Sequence, residues 1–190
     1  MTDTTPETTT AAAAAEKAPY ILRTHRPGDM GWIIHRHGAL YHAEYGWNER
    51  FEALVARITA DFIDHYDPKT ERCWIAERKD GAFLGCVMLV KDREENSESK
   101  EPGEGTENVA KLRLLLVEPS ARGLGLGRAL IRQCTTFARD VGYSRIRLWT
   151  NSVLASARYL YGDEGYRLVN AEEHELLGFK LTGENWELVL

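Results

Sequence analysis

The stretch VAKLRLLLVEPSARGLGLGRALIRQCTTFARDV, from Val109 to Val141, decides the fold of this chain. In its first nine residues, every second residue is apolar, which is the pattern of a largely buried β-strand with side chains on two opposite faces. Pro119 ends that strand, because proline has no N–H for the ladder. The residues on the apolar face of this predicted strand are Ala110, Leu112, Leu114 and Leu116. The apolar residues that recur at helical spacing after the glycines, and predict an amphipathic helix, are Leu126, Ala129, Leu130, Cys134, Phe137, Ala138 and Val141.

Three alternating glycines, Gly123, Gly125 and Gly127, join the predicted strand to the predicted helix. The start of a helix leaves backbone N–H groups without partners and carries a partial positive charge. Residues without side chains let an anion approach those groups, so the turn is typical of a phosphate-binding loop. The alternative is a tight turn that needs glycine only for its backbone conformation.

Elimination narrows the type of phosphate ligand. A mononucleotide loop has Lys and then Ser or Thr after its last glycine, whereas Arg128 and Ala129 stand here. The dinucleotide fingerprint also fails, since its last glycine or alanine falls on Arg128 or on Leu130. The pattern Arg122-x-x-Gly125-x-Gly127 after Val117-Glu118-Pro119 instead resembles the acetyl-CoA pyrophosphate loop of the GNAT superfamily of N-acetyltransferases.

A second stretch, RIRLWTNSVLASARYLYGDEGYRLV from Arg145 to Val169, predicts a strand, a short helix, a turn and another strand. It resembles the Ala-x-x-x-Tyr-x-x-x-Gly-Phe pattern of the same superfamily, which is matched by Ala157, Tyr161, Gly165 and Tyr166. The resemblance implies an α+β fold of the GNAT type. Its central twisted, mostly antiparallel sheet would have about six to seven strands, splayed at the strand before the loop, with about four flanking helices.

The resemblance also implies the cofactor site and one catalytic residue. Backbone groups of Leu115, Leu116 and Val117 would bind the pantetheine arm and the thioester carbonyl of acetyl-CoA. Tyr161 would give a proton to the departing thiolate, since a phenol with a pKa of about 10 is protonated at neutral pH. The alternative is a tyrosine packed in the core. The implied pyrophosphate-binding residues are Arg122, Gly123, Leu124, Gly125, Leu126 and Gly127.

The acceptor side is defined less sharply. The connection between the first two helices resembles the family's flap over the acceptor, which makes Glu44, Tyr45 and Trp47 candidate contacts; the alternative is a turn packed by aromatics. Some family members have a glutamate base early on the strand before the loop, but Lys111 stands there, followed by Arg113. These two side chains either bind a carboxylate of the acceptor or reach solvent past a strand edge.

The general base and the acceptor therefore stay open. Candidate bases are Glu44, Glu173, His174 and a water chain. The implied activity is direct transfer of an acetyl group to a primary amine in a ternary complex, with a small molecule or an amino acid as acceptor. A lysine side chain or N-terminus of a protein or peptide is the alternative acceptor. A non-catalytic acyl-CoA sensor is the alternative from another class, because Lys111 replaces the carboxylate and Leu154 replaces an Asn common in the family.

Charge and complexity predict one domain at 19–190, a disordered tail at 1–18 and a mobile acidic insert at 92–108. The insert has seven acidic and two basic residues, which equals the net charge of −5 of the whole chain, and no basic stripe for nucleic acid is present. Without an apolar run of about 18 residues or a signal sequence, we expect a cytoplasmic protein without membrane contact, monomeric or homodimeric. Three scattered cysteines in apolar surroundings predict buried free thiols and no metal site: Cys73, Cys86 and Cys134.

Three further segments resemble one particular group of GNAT proteins. The segments HRHGALY, EYGW and KLRLLLVEPSARG resemble the acetyltransferase halves of bacterial fusions with a MarR-type winged helix-turn-helix. The first predicted strand begins at Tyr20, so we expect no DNA-binding module before it.

Apolar periodicity and turn residues elsewhere in the chain predict the other strands and helices. Strands are predicted at 20–24, 73–78, 83–91, 166–169 and 185–190, with a hairpin turn at Asp80-Gly81 and a polar link at 170–184. Two helices follow the first strand, the second capped by Asn48. His37 lies on the apolar face of the first helix, which predicts a core histidine with satisfied hydrogen bonds.

Overall fold

The computed structural model describes residues 19–93 and 108–190. The predicted tail at 1–18 and residues 94–107 of the predicted acidic insert lie outside the described residues. The strands are β1 (Tyr20–Thr24), β2 (Arg72–Arg78), β3 (Phe83–Lys91), β4 (Val109–Val117), β5 (Arg145–Asn151), β6 (Arg167–His174) and β7 (Leu181–Val189). The α-helices are α1 (Asp29–Tyr45), α2 (Glu49–Asp64), α3 (Leu126–Asp140) and α4 (Ala155–Asp163), and a 3-10 turn covers Pro119–Ala121.

All seven strands form one sheet in the order β1-β2-β3-β4-β5-β7-β6. Neighbouring strands are antiparallel except for β4 and β5, which are parallel. The β4–β5 ladder begins at Val109–Arg145 and ends at Leu112–Leu148, and beyond that point the two strands diverge. The predicted mixed α/β fold, with a mostly antiparallel sheet splayed at the strand before the glycine loop, is confirmed.

Two apolar cores lie on opposite faces of the sheet. On one face α3 contributes Leu130, Ile131 and Cys134 to a core that also contains Tyr161 of α4. On the other face α1 and α2 pack their apolar stripes against β2 and β3, as the helical spacing predicts. The side chain of Asn48 caps α2 by accepting a hydrogen bond from the N–H of Arg50 at 3.1 Å.

A β-bulge in β4 corrects one part of the predicted strand. The register against β3 shifts between Cys86 and Met88, and Leu114 on β4 has a positive φ of 53°. The alternation of side chains therefore changes phase at Leu114. Leu112 packs in the core beside α3, but Leu114 packs on the α1–α2 face, although strict alternation placed both on one face. A bulge inserts one extra residue, and this reverses the inside–outside pattern beyond it.

The C-terminal hairpin is longer than predicted. The polar link expected at 170–184 is wrong, because β6 continues to His174 and β7 begins at Leu181. All but the last residue of β6 are exposed, so neither face of this edge strand is buried, and its apolar and polar residues do not alternate. The periodicity that identifies buried strands was therefore missing there.

The prediction of buried free thiols is confirmed. All three cysteines are buried free thiols. Among the described residues, no group of three or more His, Cys, Asp or Glu side chains is arranged to hold a metal ion. Within the same part of the chain, none of the helices has the length and apolarity needed to cross a bilayer.

Candidate functional site

The glycine-rich loop leaves open space in front of α3. Gly123 and Gly125 have φ values of 79° and 73°, a left-handed conformation that strains residues with a side chain. A Cβ atom on either glycine would meet nothing within 4 Å, so close packing does not require glycine at either position. Gly125 is the N-cap of α3 and provides no side-chain cap for the first N–H groups. The loop therefore suits an anion at the start of α3.

The third glycine has a different role. Gly127 is buried in the first turn of α3, where a Cβ atom would come within 2.9 Å of Cδ1 of Leu160 on α4. Its missing side chain allows α3 and α4 to pack closely. The sequence assigned the same role to all three glycines, and the structure separates them into two open loop positions and one packing position.

A cavity of about 430 Å³ opens where β4 and β5 diverge. Its walls come from α1 with α2, from β4 on both sides of the bulge, from the end of β5 and from α4, with one residue each from β7 and from the link before it. Most lining side chains are apolar or aromatic, and none of the described lining residues is Asp or Glu. The lining residues used below are His37, Tyr41, Trp47, Phe51, Lys111, Arg113, Leu115, Trp149, Asn151, Leu154 and Tyr161.

Tyr161 lies at the junction of this cavity and the α3 core. It is 5% exposed, and its ring contacts that of Tyr166 with 5.7 Å between centroids. Its hydroxyl has no hydrogen-bond partner among the described residues. Burial, with a smaller contribution from Tyr41, raises the pKa of Tyr161 well above its usual value of 10. The phenol is therefore protonated at neutral pH, as a proton donor must be.

Arg113 and Lys111 give the cavity a positive charge. Both precede the bulge in β4 and line the cavity, and none of the described lining residues is a carboxylate. Lys111 also interacts with another group. Arg113 is half-buried and makes no ion pair or hydrogen bond within the described ranges 19–93 and 108–190. A half-buried guanidinium beside apolar walls favours an anionic ligand, because its charge has lost part of its hydration.

None of the predicted bases is among the described residues that line the cavity, although His174 contacts two of them, Trp149 and Asn151. Glu44 accepts a hydrogen bond from Nη2 of Arg122 at 2.7 Å. His174 accepts from the N–H of Leu176 at Nδ1, which leaves Nε2 to donate to Oδ1 of Asn151 at 2.7 Å. Glu173 is exposed on β6. Tyr45 is also absent from the lining, whereas Trp47 from the same predicted flap belongs to it.

His37 is a cavity residue that the sequence misassigned in part. The prediction of a buried position is confirmed, since His37 is 2% exposed. Its Nδ1 lies 2.8 Å from the carbonyl oxygen of Ile33, but its Nε2 has no hydrogen-bond partner in the described part of the chain. The prediction that the ring nitrogens of His37 have hydrogen-bond partners is therefore wrong for Nε2. Helical periodicity places His37 on the inner face, but only the tertiary structure shows the cavity beside it.

A family model described as Acetyltransferase (GNAT) family matches residues 35–166, which is more than half of the chain. The chain belongs to the GNAT family. The matched residues include His37, the glycine loop and Tyr161, so the match covers most of the residues that line the cavity.

Individual GNAT relatives agree with this assignment. The N-acetylaspartate synthetase of Xenopus tropicalis is 36% identical over 126 residues, 66% of this chain and 42% of that protein. N-acetyltransferase 8B of Homo sapiens is 38% identical over 145 residues, 76% of this chain and 54% of that protein. The chain thus spans about half the length of the curated relatives it matches.

A solved GNAT structure confirms the fold. The spermidine N-acetyltransferase of Vibrio cholerae, in complex with CoA and spermine, superposes with a TM-score of 0.64 and 18% identity. The superposition covers 91% of this chain and 96% of that chain. At this level of identity the likeness concerns the fold alone.

Proposed function

We propose that this chain is an acetyl-CoA-dependent N-acetyltransferase whose acceptor is a small primary amine with a carboxylate and an apolar body. The observation that carries the proposal is the cavity at the splay, which brings Tyr161, the bulged half of β4 and Arg113 together. A GNAT chain needs a proton donor, a thioester site and an acceptor site within reach of one another. The cavity offers side chains or backbone for each.

The residues around the cavity fit acetyl-CoA, which supplies the acetyl group as an activated thioester. The open loop at Gly123 and Gly125 and the N–H groups at the start of α3 would hold the pyrophosphate, with Arg122 beside them. Backbone groups of Leu115 to Val117 would hold the pantetheine arm, because β5 has diverged from β4 there and no longer pairs with it. Leu115 also lines the cavity.

Tyr161 holds the proton that the reaction requires. Its hydroxyl belongs to a cavity-lining side chain, is free of protein partners in the described residues and is kept protonated by burial. We propose that it donates this proton to the thiolate that leaves when the amine nitrogen bonds to the acetyl carbon. The new amide nitrogen then releases one proton, which would return through water to the Tyr161 phenolate and restore the phenol.

The charge of the cavity selects the acceptor. Arg113 would bind a carboxylate, with Lys111 nearby, and the aromatic side chains of Tyr41, Trp47 and Phe51 would contact an apolar body. A relative bears the name N-acetylaspartate synthetase, which refers to an acetylated amino acid. A polyamine or a lysine-rich peptide would bring further positive charge to Arg113, so we place both below an amino acid as acceptors.

A non-catalytic acyl-CoA sensor is the second candidate. It is favoured by the absence of all three predicted protein bases, Glu44, Glu173 and His174, from the described lining of the cavity. The family assignment and the position of Tyr161 favour the enzyme. Sustained release of CoA with any amine would exclude the sensor.

The test combines binding and turnover. Calorimetry should show binding of acetyl-CoA, whereas adenine nucleotides should bind much more weakly. A thiol-detecting reagent then follows CoA release with L-phenylalanine, L-aspartate, L-phenylalaninamide, spermidine and a lysine peptide. We expect the fastest turnover with a carboxylate-bearing amine. Failure of acetyl-CoA to bind would refute the enzyme proposal, and a preference for spermidine or the peptide would refute the acceptor class alone.

The state of the cysteine thiols bears on the cellular compartment. Burial raises the pKa of each of the three cysteine thiols, which keeps them protonated and unreactive. None of them forms a disulfide. We propose a reducing, cytoplasmic compartment, in which free thiols persist. Measurement of the thiol count in protein isolated under air would reveal any disulfide.

A further inference from the structure

The imidazole of His37 is held in one tautomer with an unused lone pair. Among the described residues, the only partner of Nδ1 is the carbonyl oxygen of Ile33, at 2.8 Å, and a carbonyl can only accept a hydrogen bond. Nδ1 therefore carries the proton, and Nε2 is the acceptor. Nε2 is buried and has no partner within the described ranges. A buried acceptor without a partner is costly to leave unsatisfied, and this indicates a ligand that brings a donor.

Packing holds this ring firmly in place. The ring of His37 stacks on that of Tyr41, with 5.8 Å between centroids and 7° between planes, and contacts Phe51 of α2 at 6.1 Å. Both neighbours line the same cavity as His37. Rotation of the imidazole would break the bond to Ile33, so the lone pair keeps its direction.

The surroundings keep His37 neutral. The charged and titratable groups that share the cavity with it are Tyr41 from α1, Lys111 and Arg113 from β4, and Tyr161 from α4. Glu118, beyond the end of β4, is paired with Arg36 on α1. Burial lowers the pKa of His37 to about 4, and this effect outweighs the opposing effects of the bond to Ile33 and of Glu118.

We propose that His37 binds the acceptor amine, with Nε2 accepting a hydrogen bond from one N–H of the uncharged amino group. This inference rests on the proposed function, because it assigns a role at the same cavity. Arg113 disfavours an ammonium ion in the cavity, and no described lining residue is a carboxylate that could stabilise one. The amine therefore loses its proton before it binds, and His37 orients the amine without acting as the base. An uncharged amine that donates one N–H still has its lone pair for the acetyl carbon.

Two variants of His37 separate this role from a structural one. His37→Asn keeps a donor near the Nδ1 position for the carbonyl of Ile33 but has no atom at the Nε2 position. His37→Gln instead provides a neutral acceptor close to the Nε2 position. Turnover is measured for the full chain with each of the five amines named above, together with the melting temperature and the affinity for acetyl-CoA. We expect His37→Asn to lower kcat/KM at least tenfold with unchanged affinity for acetyl-CoA, and His37→Gln to remain within about threefold of the wild type.

A pH profile tests the uncharged amine directly. For L-phenylalanine, kcat/KM should rise with pH until the pKa of its own amino group is reached. With 3,3-difluorophenylalanine, whose amine is less basic, the inflection should move to lower pH by the difference between the two amine pKa values. An inflection at the same pH for both amines would assign the titration to the protein and overturn the inference.

Nitrogen-15 NMR of the histidine side chains provides a test that needs no turnover. In the CoA-bound protein, the Nε2 resonance of His37 should shift on saturation with L-phenylalanine but not with 3-phenylpropionate, which lacks the amine. If no amine is acetylated but this shift occurs, the proposed activity fails and the His37 site stands. An unchanged resonance with all five amines, or full activity of His37→Asn, overturns the site while acetyl-CoA binding stays intact.

Discussion

Arg122 and Glu44 form an ion pair that connects the glycine-rich loop to the last turn of α1, with 2.7 Å between Nη2 and Oε1. The two residues are 78 positions apart in the sequence. The pair is half-exposed, with side-chain exposures of 50% and 27%, so its contribution to stability is at most about 1 kcal/mol. Its importance is chemical, because it engages a predicted base and a predicted phosphate contact with each other.

Glu44→Gln tests whether that carboxylate is a base. We expect turnover within about threefold of the wild type, because Glu44 does not line the cavity. Acetyl-CoA should bind slightly more tightly, since loss of the carboxylate leaves Arg122 available for phosphate. Steady-state rates and calorimetry on the same preparation provide the measurement. A loss of turnover of about a hundredfold would restore Glu44 as the general base.

Gly125→Glu should abolish acetyl-CoA binding, because it puts a carboxylate in the open space where the pyrophosphate belongs. The matched control is Gly142→Glu. Gly142 also has a positive φ, 84°, with nothing within 4 Å of an added Cβ, but it follows the far end of α3. Both variants should lose about 1–2 kcal/mol of stability from the left-handed backbone. Calorimetry should show loss of acetyl-CoA binding in the first variant only; equal loss in both would refute the loop assignment.

Tyr161→Phe should lower kcat roughly a hundredfold or more, because it removes the proton while keeping the buried ring. The affinity for acetyl-CoA should change little. Tyr159→Phe is the control, since Tyr159 is on the same helix but 68% exposed. Steady-state rates should be compared with melting temperatures of the same samples. If Tyr161 is only a core residue, its variant turns over normally and any loss of stability is about 1 kcal/mol.

Arg113→Gln should raise KM about tenfold or more for acceptors with a carboxylate, because a charge-assisted hydrogen bond is worth about 1.5–3 kcal/mol. The KM for L-phenylalaninamide, which has no carboxylate, should change far less. Comparison of L-phenylalanine with this amide in both proteins isolates the contribution of the carboxylate. Equal effects on the two substrates would mean that Arg113 does not bind the carboxylate.

The buried His37 should make the protein sensitive to acid. Its pKa is about 4 in the folded protein and about 6.5 when unfolded, so the unfolded state binds more protons between these values. Stability is therefore complete above pH 6.5 and decreases as the pH falls toward 4. Relative to His37→Gln, the wild type should lose about 2 kcal/mol of unfolding free energy between pH 7 and pH 5. Urea unfolding at both pH values provides the measurement; parallel losses in the two proteins would contradict the lowered pKa.

The local sequence pattern was sufficient to predict the strand and the helix on either side of the glycine-rich loop. Strand, glycine turn and helix from Val109 to Asp140 follow from alternation, proline, glycine and helical spacing, and the structure places β4 and α3 as predicted. The exposed strand β6 was predicted too short, because an edge strand with neither face buried has no alternation to detect. The bulge at Leu114 was missed as well, since it results from pairing with β3 and not from the local sequence.

The sequence by itself determined the family resemblance, the glycine loop and the candidate Tyr161, because these depend on residues close together in the chain. Only the tertiary structure decided which side chains share the cavity. It brings His37, Arg113 and Tyr161 to one place and keeps Glu44, Glu173 and His174 out of its described lining. The physical reason is that the cavity exists only where β4 and β5 diverge and α1 and α2 close over the gap. That arrangement depends on contacts between residues far apart in sequence, which periodicity and spacing do not encode.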